Sequence, residues 1–120
     1  MTKNTFCHIE WAVKDLEKAK RFFGGLFEWT FEGFGDDYLM FKTGNQELGG
    51  GLMKSETINP GQSPCVYILV DSIEAYLAKA PTVGGGVAMG KTEIPGMGWF
   101  AILLDPDKNA VGIFEAAQPA

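Results

Sequence analysis

Residues 6–25 read FCHIEWAVKDLEKAKRFFGG, and this pattern predicts a β-strand followed at once by an amphipathic α-helix. The first part, FCHIEWAV, is rich in the β-branched and aromatic residues that favour strands. Asp15 suits the helix N-cap, where a carboxylate accepts hydrogen bonds from backbone N–H groups. Apolar residues then recur at helical spacing: Leu16, Ala19, Phe22, Phe23 and Leu26. We expect the helix to cover about 15–24, because Gly24 and Gly25 are typical of helix C-termini.

The same order of elements is predicted twice along the chain. Strands are expected at 27–31, 38–43 and 49–54 after the first helix. The polar segment SETINPGQSP at 55–64 indicates a linker, with the split near Thr57–Gln62. Beyond it the pattern predicts a helix at about 72–80 and strands at 64–70, 86–90, 99–104 and 110–115. Sliding the sequence by 57 residues places HIEWAVKDLE over CVYILVDSIE, which indicates a duplication. The prediction is an α+β fold of two β-α-β-β-β modules, about 6–54 and 63–115, forming one domain over 1–120.

Composition and charge exclude several classes of partner. The chain has 120 residues, 46% hydrophobic, which is typical of a single globular domain. A net charge of −5 argues against nucleic acid and against an anionic membrane surface. No apolar run approaches the ~18–20 residues of a membrane span, and the N-terminus lacks a secretory pattern, so we expect a cytoplasmic protein. Two cysteines fit a reducing compartment, and a single histidine excludes a multi-histidine metal site within one chain.

Four stretches carry a resemblance to a known family. They are HIEWAVKDLEKAKRFFGGLFEW at 8–29, GGGLMK at 49–54, VDSIEA at 70–75 and GWFAILLDPDKNAVGIFE at 98–115. Together they resemble the vicinal oxygen chelate superfamily, which includes glyoxalase I, bleomycin- and fosfomycin-resistance proteins and extradiol dioxygenases. The resemblance implies paired modules with pseudo-two-fold symmetry, whose curved mixed sheets surround a cavity. It also implies a homodimer.

The resemblance further implies where metal-dependent members hold a divalent metal. The four matching positions here are His8, Gly51, Cys65 and Gly112. Glycine has no side chain to donate, and a catalytic zinc usually has three protein ligands, so no metal cofactor is expected. One alternative stays open. Glu47 and Glu115 lie near the expected places, and a β-bulge that shifts the strand register is the change considered for turning either carboxylate towards a metal.

Strand alternation predicts which side chains line the cavity. The expected ligand-binding residues are His8, Glu10, Met53, Tyr67, Trp99 and Phe114. The candidates for catalysis are His8, Glu10 and Cys65, with His8 as the only imidazole base. Each has a structural alternative, since a histidine can be satisfied within a sheet, a cysteine can act as a small buried hydrophobe, and strand aromatics usually pack. Cys7 is expected on the helix-packed side, and the glycines at 49–51 are expected to leave room for the cavity.

Two functions follow, from different classes. The first is a binding protein that holds a small, partly apolar molecule between the modules without a catalytic metal. The alternative is an enzyme of lyase, isomerase or dioxygenase type, working either with a metal or through His8, Glu10 and Cys65. An interaction protein with an incidental cavity is a third reading, because a fold alone does not fix a function.

Overall fold

The computed structural model describes residues 3–46, 48–59 and 63–118, and the chain divides into two units. The first unit comprises Cys7–Cys65, and the second comprises Met1–Phe6 with Val66–Ala120. The elements in chain order are β1 Phe6–Val13, α1 Leu16–Phe27, β2 Thr30–Gly33, β3 Tyr38–Lys42, β4 Gly49–Lys54, β5 Cys65–Leu69, α2 Ile73–Lys79, a 3₁₀ turn Ala80–Val83, β6 Gly86–Ile94, β7 Gly98–Leu104 and β8 Ala110–Ala116. Part of the predicted linker, residues 60–62, lies outside the described residues.

The two units share one strand topology. In the first unit the strand order is β2-β3-β4-β1, and β1 runs parallel to β4. In the second unit the order is β6-β7-β8-β5, and β5 runs parallel to β8. The remaining neighbours in each sheet are antiparallel. The predicted α+β class and the repeated β-α-β-β-β order are therefore confirmed. None of the helices in the described ranges is long or apolar enough to cross a membrane.

Helix α1 begins as predicted but ends later. Asp15 is the N-cap, and its carboxylate accepts a hydrogen bond from Lys18 N at 3.0 Å. The predicted stop at Gly24 and Gly25 is wrong, because the helix continues to Phe27 and ends at the left-handed Glu28. Glu28 N donates to Gly24 O at 3.0 Å, which satisfies one of the last carbonyls.

The reason for Gly24 is packing against the next strand. A Cβ at this position would lie 3.1 Å from the Phe31 ring, so glycine lets β2 approach the helix. The longer helix displaces the second strand from the predicted 27–31 to Thr30–Gly33. Close approach and helix termination are both common uses of glycine, and the sequence alone did not separate them.

Helix α2 matches its predicted position, with Ser72 as the N-cap. The Ser72 hydroxyl accepts a hydrogen bond from Ala75 N at 3.3 Å. The carboxylate of the preceding residue, Asp71, pairs with Lys3 at 3.0 Å. Strand β6 is longer than predicted and runs to Ile94, because it pairs with β7 as far as Gly98.

Each unit has an apolar side where helix and sheet meet. In the first unit, Trp11 of β1 contacts Phe23 of α1, with ring centroids 5.0 Å apart. Trp29 stacks on Phe41 of β3 at 4.6 Å on the same side. In the second unit the buried cluster consists of Val70, Ile73, Ala101 and Ile113. These contacts fix which side chains of every strand face the helix, and alternation assigns the others to the opposite face.

Strand β4 carries three consecutive glycines, and Gly50 lies beneath an aromatic ring on the helix side. A Cβ built on Gly50 would overlap the Phe41 ring and would lie 2.6 Å from Ile9 O. By contrast, a Cβ on Gly49 would have no neighbour within 4 Å. The first unit therefore depends on glycine at one position of this strand and tolerates a side chain at the adjacent one.

This contrast predicts unequal effects of two alanine substitutions. Gly50→Ala should lower the free energy of unfolding by about 1–3 kcal/mol, because the new methyl group displaces Phe41 or the β1 backbone. Gly49→Ala, the matched control, should change it by no more than about 0.5 kcal/mol. Urea unfolding followed by tryptophan fluorescence measures both. Equal destabilisation by the two variants would contradict the packing described for Gly50.

Candidate functional site

The sheet of the first unit has one face against α1 and an opposite face, here called the distal face. His8, Glu10, Tyr38, Met40 and Gly51 lie on this distal face. The strand register supports the assignment, because Gly51 is the cross-strand partner of both Glu10 and Met40. Paired residues on neighbouring strands project to the same side of a sheet.

The Tyr38 hydroxyl joins the two polar side chains of this face. Tyr38 Oη lies 2.7 Å from His8 Nε2, and it donates a hydrogen bond to Glu10 Oε2 at 2.8 Å. A tyrosine hydroxyl has one proton, so the donor in the His8–Tyr38 bond must be Nε2–H of the imidazole. The three side chains thus form one hydrogen-bonded chain, His8 to Tyr38 to Glu10.

Burial shifts the pKa values of His8 and Glu10 in opposite directions. It lowers the pKa of His8 below its ordinary value. It raises the pKa of Glu10 above its ordinary value, and the hydrogen bond from Tyr38 opposes part of that rise. Both shifts favour the uncharged form of the side chain, as expected for groups removed from water. Perturbed groups joined by a hydroxyl are suited to holding or exchanging a proton with a bound molecule.

Gly51 allows this arrangement. A Cβ at Gly51 would overlap both the ring and the hydroxyl of Tyr38, so the tyrosine ring lies directly on the β4 backbone. The expectation that the glycine run leaves empty room for a cavity is therefore corrected. Aromatic rings of the chain itself take up the room over two of the three glycines.

Tyr38 was missed by sequence reasoning, although one signal pointed to it. Tyr38 lies on the same face of β3 as Met40. Because β3 is two strands away from β1, the sequence gave no reason to expect contact between Tyr38 and His8. Only the absence of a side chain at Gly51 lets the ring cross the intervening strand. A glycine flanked by a long polar aromatic on the adjacent strand is the pattern to look for.

The second unit repeats the juxtaposition of glycine and tyrosine. Tyr67 of β5 is the cross-strand partner of Gly112, and a Cβ on Gly112 would overlap the Tyr67 ring. Phe114 lies on the same face of this sheet, and the Tyr67 ring meets Phe100 edge-on at 6.3 Å. Cys65, the first residue of β5, is buried. Its predicted roles, as a catalytic group or as a packing group, both stay predictions.

Trp99 does not belong to that face, and its predicted position is wrong. Trp99 pairs with Glu115, and both lie on the helix side, where Trp99 packs against the buried cluster of the second unit. Lys91 Nζ lies 4.7 Å from the centre of the Trp99 ring. The pairing of β7 with β8 places Phe100, and not Trp99, on the side of Phe114.

Of the two carboxylates considered as substitute metal ligands, the structure describes Glu115 and not Glu47. Glu115 Oε1 accepts a hydrogen bond from Ile73 N at 2.8 Å, so this side chain stabilises the start of α2. The pairing of β7 with β8 runs without interruption from Gly98↔Ala116 to Leu104↔Ala110. The β-bulge required to bring Glu115 towards a metal is therefore not present. Glu47 lies outside the described residues.

The other predicted residues of the first unit lie where alternation places them. Met53 is on the distal face, opposite Ala12 and Tyr38, and is 39% exposed. Cys7 is on the helix side of β1, and burial raises the pKa of its thiol to about 11. A thiol with a raised pKa is mostly protonated at neutral pH, which disfavours Cys7 as a nucleophile.

The chain is similar to proteins of one superfamily, although no family model matches it. The curated mycobacterial protein CFP32 of Mycobacterium tuberculosis, named only provisionally as a glyoxylase, is 38% identical over 88 residues, which cover 72% of this chain. Those residues represent 31% of CFP32, so the chain spans about a third of the length of that relative.

Two solved structures show the same fold. The Mn(II)-bound glyoxalase of Novosphingobium aromaticivorans matches 98% of this chain and 42% of its own, with a TM-score of 0.70 and 19% identity. A member of the glyoxalase/bleomycin resistance protein/dioxygenase superfamily from Vibrio splendidus matches 89% of this chain and 95% of its own, with a TM-score of 0.67 and 12% identity. The chain has the vicinal oxygen chelate fold. The resemblance read from the sequence is thereby confirmed.

The residues that this chain has at the four positions implied by the resemblance do not fit a metal. Gly51 and Gly112 have no donor atoms, and a tyrosine ring covers each of them. In the described ranges, no group of three or more His, Cys, Asp or Glu side chains is placed to hold a metal ion. The donor set is therefore smaller than the three protein ligands typical of a catalytic zinc.

His8 is the only histidine, which allows its titration to be followed directly. Because burial lowers its pKa in the folded protein, the unfolded chain takes up the proton first as the pH falls. The stability due to neutral His8 is present above the ordinary histidine pKa and is lost below it. We expect the imidazole proton resonances to titrate below pH 6.5, the ordinary value.

The matched control is His8→Gln. Between about pH 7 and about pH 5.5, the free energy of unfolding should fall more for the parent than for His8→Gln, because only the parent contains this imidazole. The comparison is needed because the raised pKa of Glu10 acts in the opposite direction, with its contribution lost as the pH rises. A His8 titration midpoint at or above the ordinary value would contradict the buried environment described here.

Proposed function

We propose that the chain binds a small, partly apolar organic molecule at the distal face, without a catalytic metal. One observation carries the proposal: the Tyr38 hydroxyl connects His8 and Glu10 at a place where metal-dependent relatives are expected to carry a ligand. A hydroxyl, an imidazole and a carboxyl group recognise oxygen or nitrogen atoms of a ligand by hydrogen bonds. The metal-dependent relatives would use the ion for the same purpose.

The composition of the distal face supports a partly apolar ligand. Met40 and Met53 lie beside the hydrogen-bonded chain, and thioether side chains adapt their shape to apolar groups. Small-molecule sites are mostly apolar, with a few polar groups that fix the orientation of the ligand. Tyr67 and Phe114 of the second unit stay predicted ligand contacts.

An enzymatic function is the second candidate, and it has support of its own. The relative CFP32 is provisionally named a glyoxylase, and one structural neighbour is an Mn(II)-bound glyoxalase. Without a metal, the hydrogen-bonded chain of His8, Tyr38 and Glu10 could still transfer a proton to or from a bound molecule. Glyoxalase activity assayed with and without added Mn²⁺ distinguishes this candidate from simple binding.

The binding proposal predicts the effect of removing one hydroxyl group. With acetophenone and phenol as probes and ethylbenzene as the apolar reference, the oxygen-bearing probes should bind more tightly and should shift the His8 imidazole resonances. Tyr38→Phe should weaken their binding by roughly tenfold, because one hydrogen bond to the ligand is lost. Isothermal titration calorimetry and NMR measure the two effects.

Tyr76→Phe is the matched control. It also removes a tyrosine hydroxyl, but that hydroxyl bonds Asn4 in the second unit. Tyr76→Phe should bind the probes as the parent does. An equal loss of affinity in the two variants would count against the distal face as the site. So would probe binding that leaves the His8 imidazole resonances unchanged. Near one equivalent of metal in protein purified without chelator, absent from His8→Ala, would replace this proposal with the enzymatic one.

The remaining expectations about partners are also proposals. We propose a homodimer, in keeping with the resemblance, and the exposed Phe22, Leu26 and Phe27 of α1 are apolar surface available for such a contact. The cytoplasm is the proposed location.

A further inference from the structure

We propose that Tyr38 and Gly51 together exclude a divalent metal from His8 and Glu10, so that the distal face holds a latent metal site. This inference deepens the proposed function and rests on it, because both concern how the same polar side chains are used. It differs from the metal site implied by the resemblance, since Glu10 is not among those four positions. All of its residues belong to the first unit.

The first step concerns the place a metal would take. Tyr38 Oη is within 2.8 Å of one donor atom on each side, His8 Nε2 and Glu10 Oε2. A zinc ion held by these two atoms would need to lie about 2.0–2.2 Å from each of them. The Tyr38 oxygen contacts both of these atoms. A metal ion bound to the two atoms would have to break both hydrogen bonds, so the ion competes with the Tyr38 hydroxyl for them.

The second step concerns the third ligand. Gly51 is the cross-strand partner of Glu10, so a carboxylate at position 51 would project from the distal face beside that residue. The present glycine is required by the ring of Tyr38, which lies on its backbone. Removing the ring therefore creates the space that a longer side chain at position 51 needs. The two positions act as one unit, either Tyr38 with Gly51 or a small residue with a carboxylate.

The third step concerns the donors themselves. Imidazole nitrogen and carboxylate oxygen are both common zinc ligands in proteins. Among the described residues, Glu10 has no ion pair with a lysine or arginine. The Glu10 carboxylate accepts a hydrogen bond from Tyr38, and a substitution of Tyr38 by alanine removes that hydrogen bond. Losing Tyr38 therefore leaves two donors on one strand without the hydroxyl that links them.

The experiment titrates Zn²⁺ and Co²⁺ alone, with no organic probe. Calorimetry gives the Zn²⁺ affinity, and the visible absorption of Co²⁺ reports the ligand set. The variants are Tyr38→Ala, Tyr38→Ala with Gly51→Glu, and Tyr38→Ala with Gly51→Gln as the control of equal shape without the carboxylate. Circular dichroism establishes that each is folded.

We expect the pair Tyr38→Ala with Gly51→Glu to bind one Zn²⁺ at least roughly tenfold more tightly than the parent, equivalent to about 1.4 kcal/mol. The gain should disappear when His8→Ala is added and should be smaller with Gly51→Gln. Tyr38→Phe removes the oxygen but keeps the ring over Gly51, so its Zn²⁺ affinity should lie between those of the parent and of Tyr38→Ala.

Three results would overturn the inference. They are a folded Tyr38→Ala, Gly51→Glu variant with the affinity of the parent, a gain that survives His8→Ala, and a Tyr38→Phe variant that binds Zn²⁺ as tightly as Tyr38→Ala. If the double variant does not fold, Tyr38→Ala alone decides, because a variant without the competing hydroxyl should still bind Zn²⁺ more tightly than the parent. Failure of the proposed function has a different outcome: the organic probes do not bind the parent, whereas the metal titrations are unaffected.

Discussion

The first unit depends on one constraint, which is the absence of side chains at Gly50 and Gly51 of strand β4. Aromatic rings lie on its backbone from both sides, with Phe41 over Gly50 on the helix side and Tyr38 over Gly51 on the distal face. The first contact connects the sheet with the aromatic cluster under α1. The second allows a side chain of β3 to reach β1 across the intervening strand. The aromatic packing under α1 and the hydrogen bonds of the distal face therefore depend on two adjacent residues of β4, Gly50 and Gly51.

The order of elements was readable from the sequence because it rests on local patterns. The strand β1, the N-cap Asp15, helix α2 and the repeated β-α-β-β-β order follow from alternation, capping and helical spacing, which nearby residues determine. Boundaries were less accurate where a residue has two uses. Gly24 has the composition of a helix stop, but its role is to admit Phe31, and only the position of β2 shows that.

The candidate site was predictable in part, for a related reason. Alternation along β1 placed His8 and Glu10 on one face, because the period of a strand is fixed. It failed for Trp99, where a shift of one residue at the start of β7 reverses the face. Tyr38 could not be predicted, because its contact with His8 spans three strands and depends on what Gly51 lacks. A sequence shows which side chains are present more readily than it shows which of them fills the room over a glycine.

The dependence of Tyr38 on Gly51 has a consequence for how such a chain changes over evolutionary time. A carboxylate at position 51 collides with the tyrosine ring, and loss of the ring alone leaves a void on the sheet. Each single change is therefore costly, whereas the two together are compatible. Such strong epistasis separates the hydrogen-bonding and metal-holding forms of the fold by an unfavourable intermediate. A lineage with one of these two residue pairs would tend to keep it, even while the surrounding surface residues change.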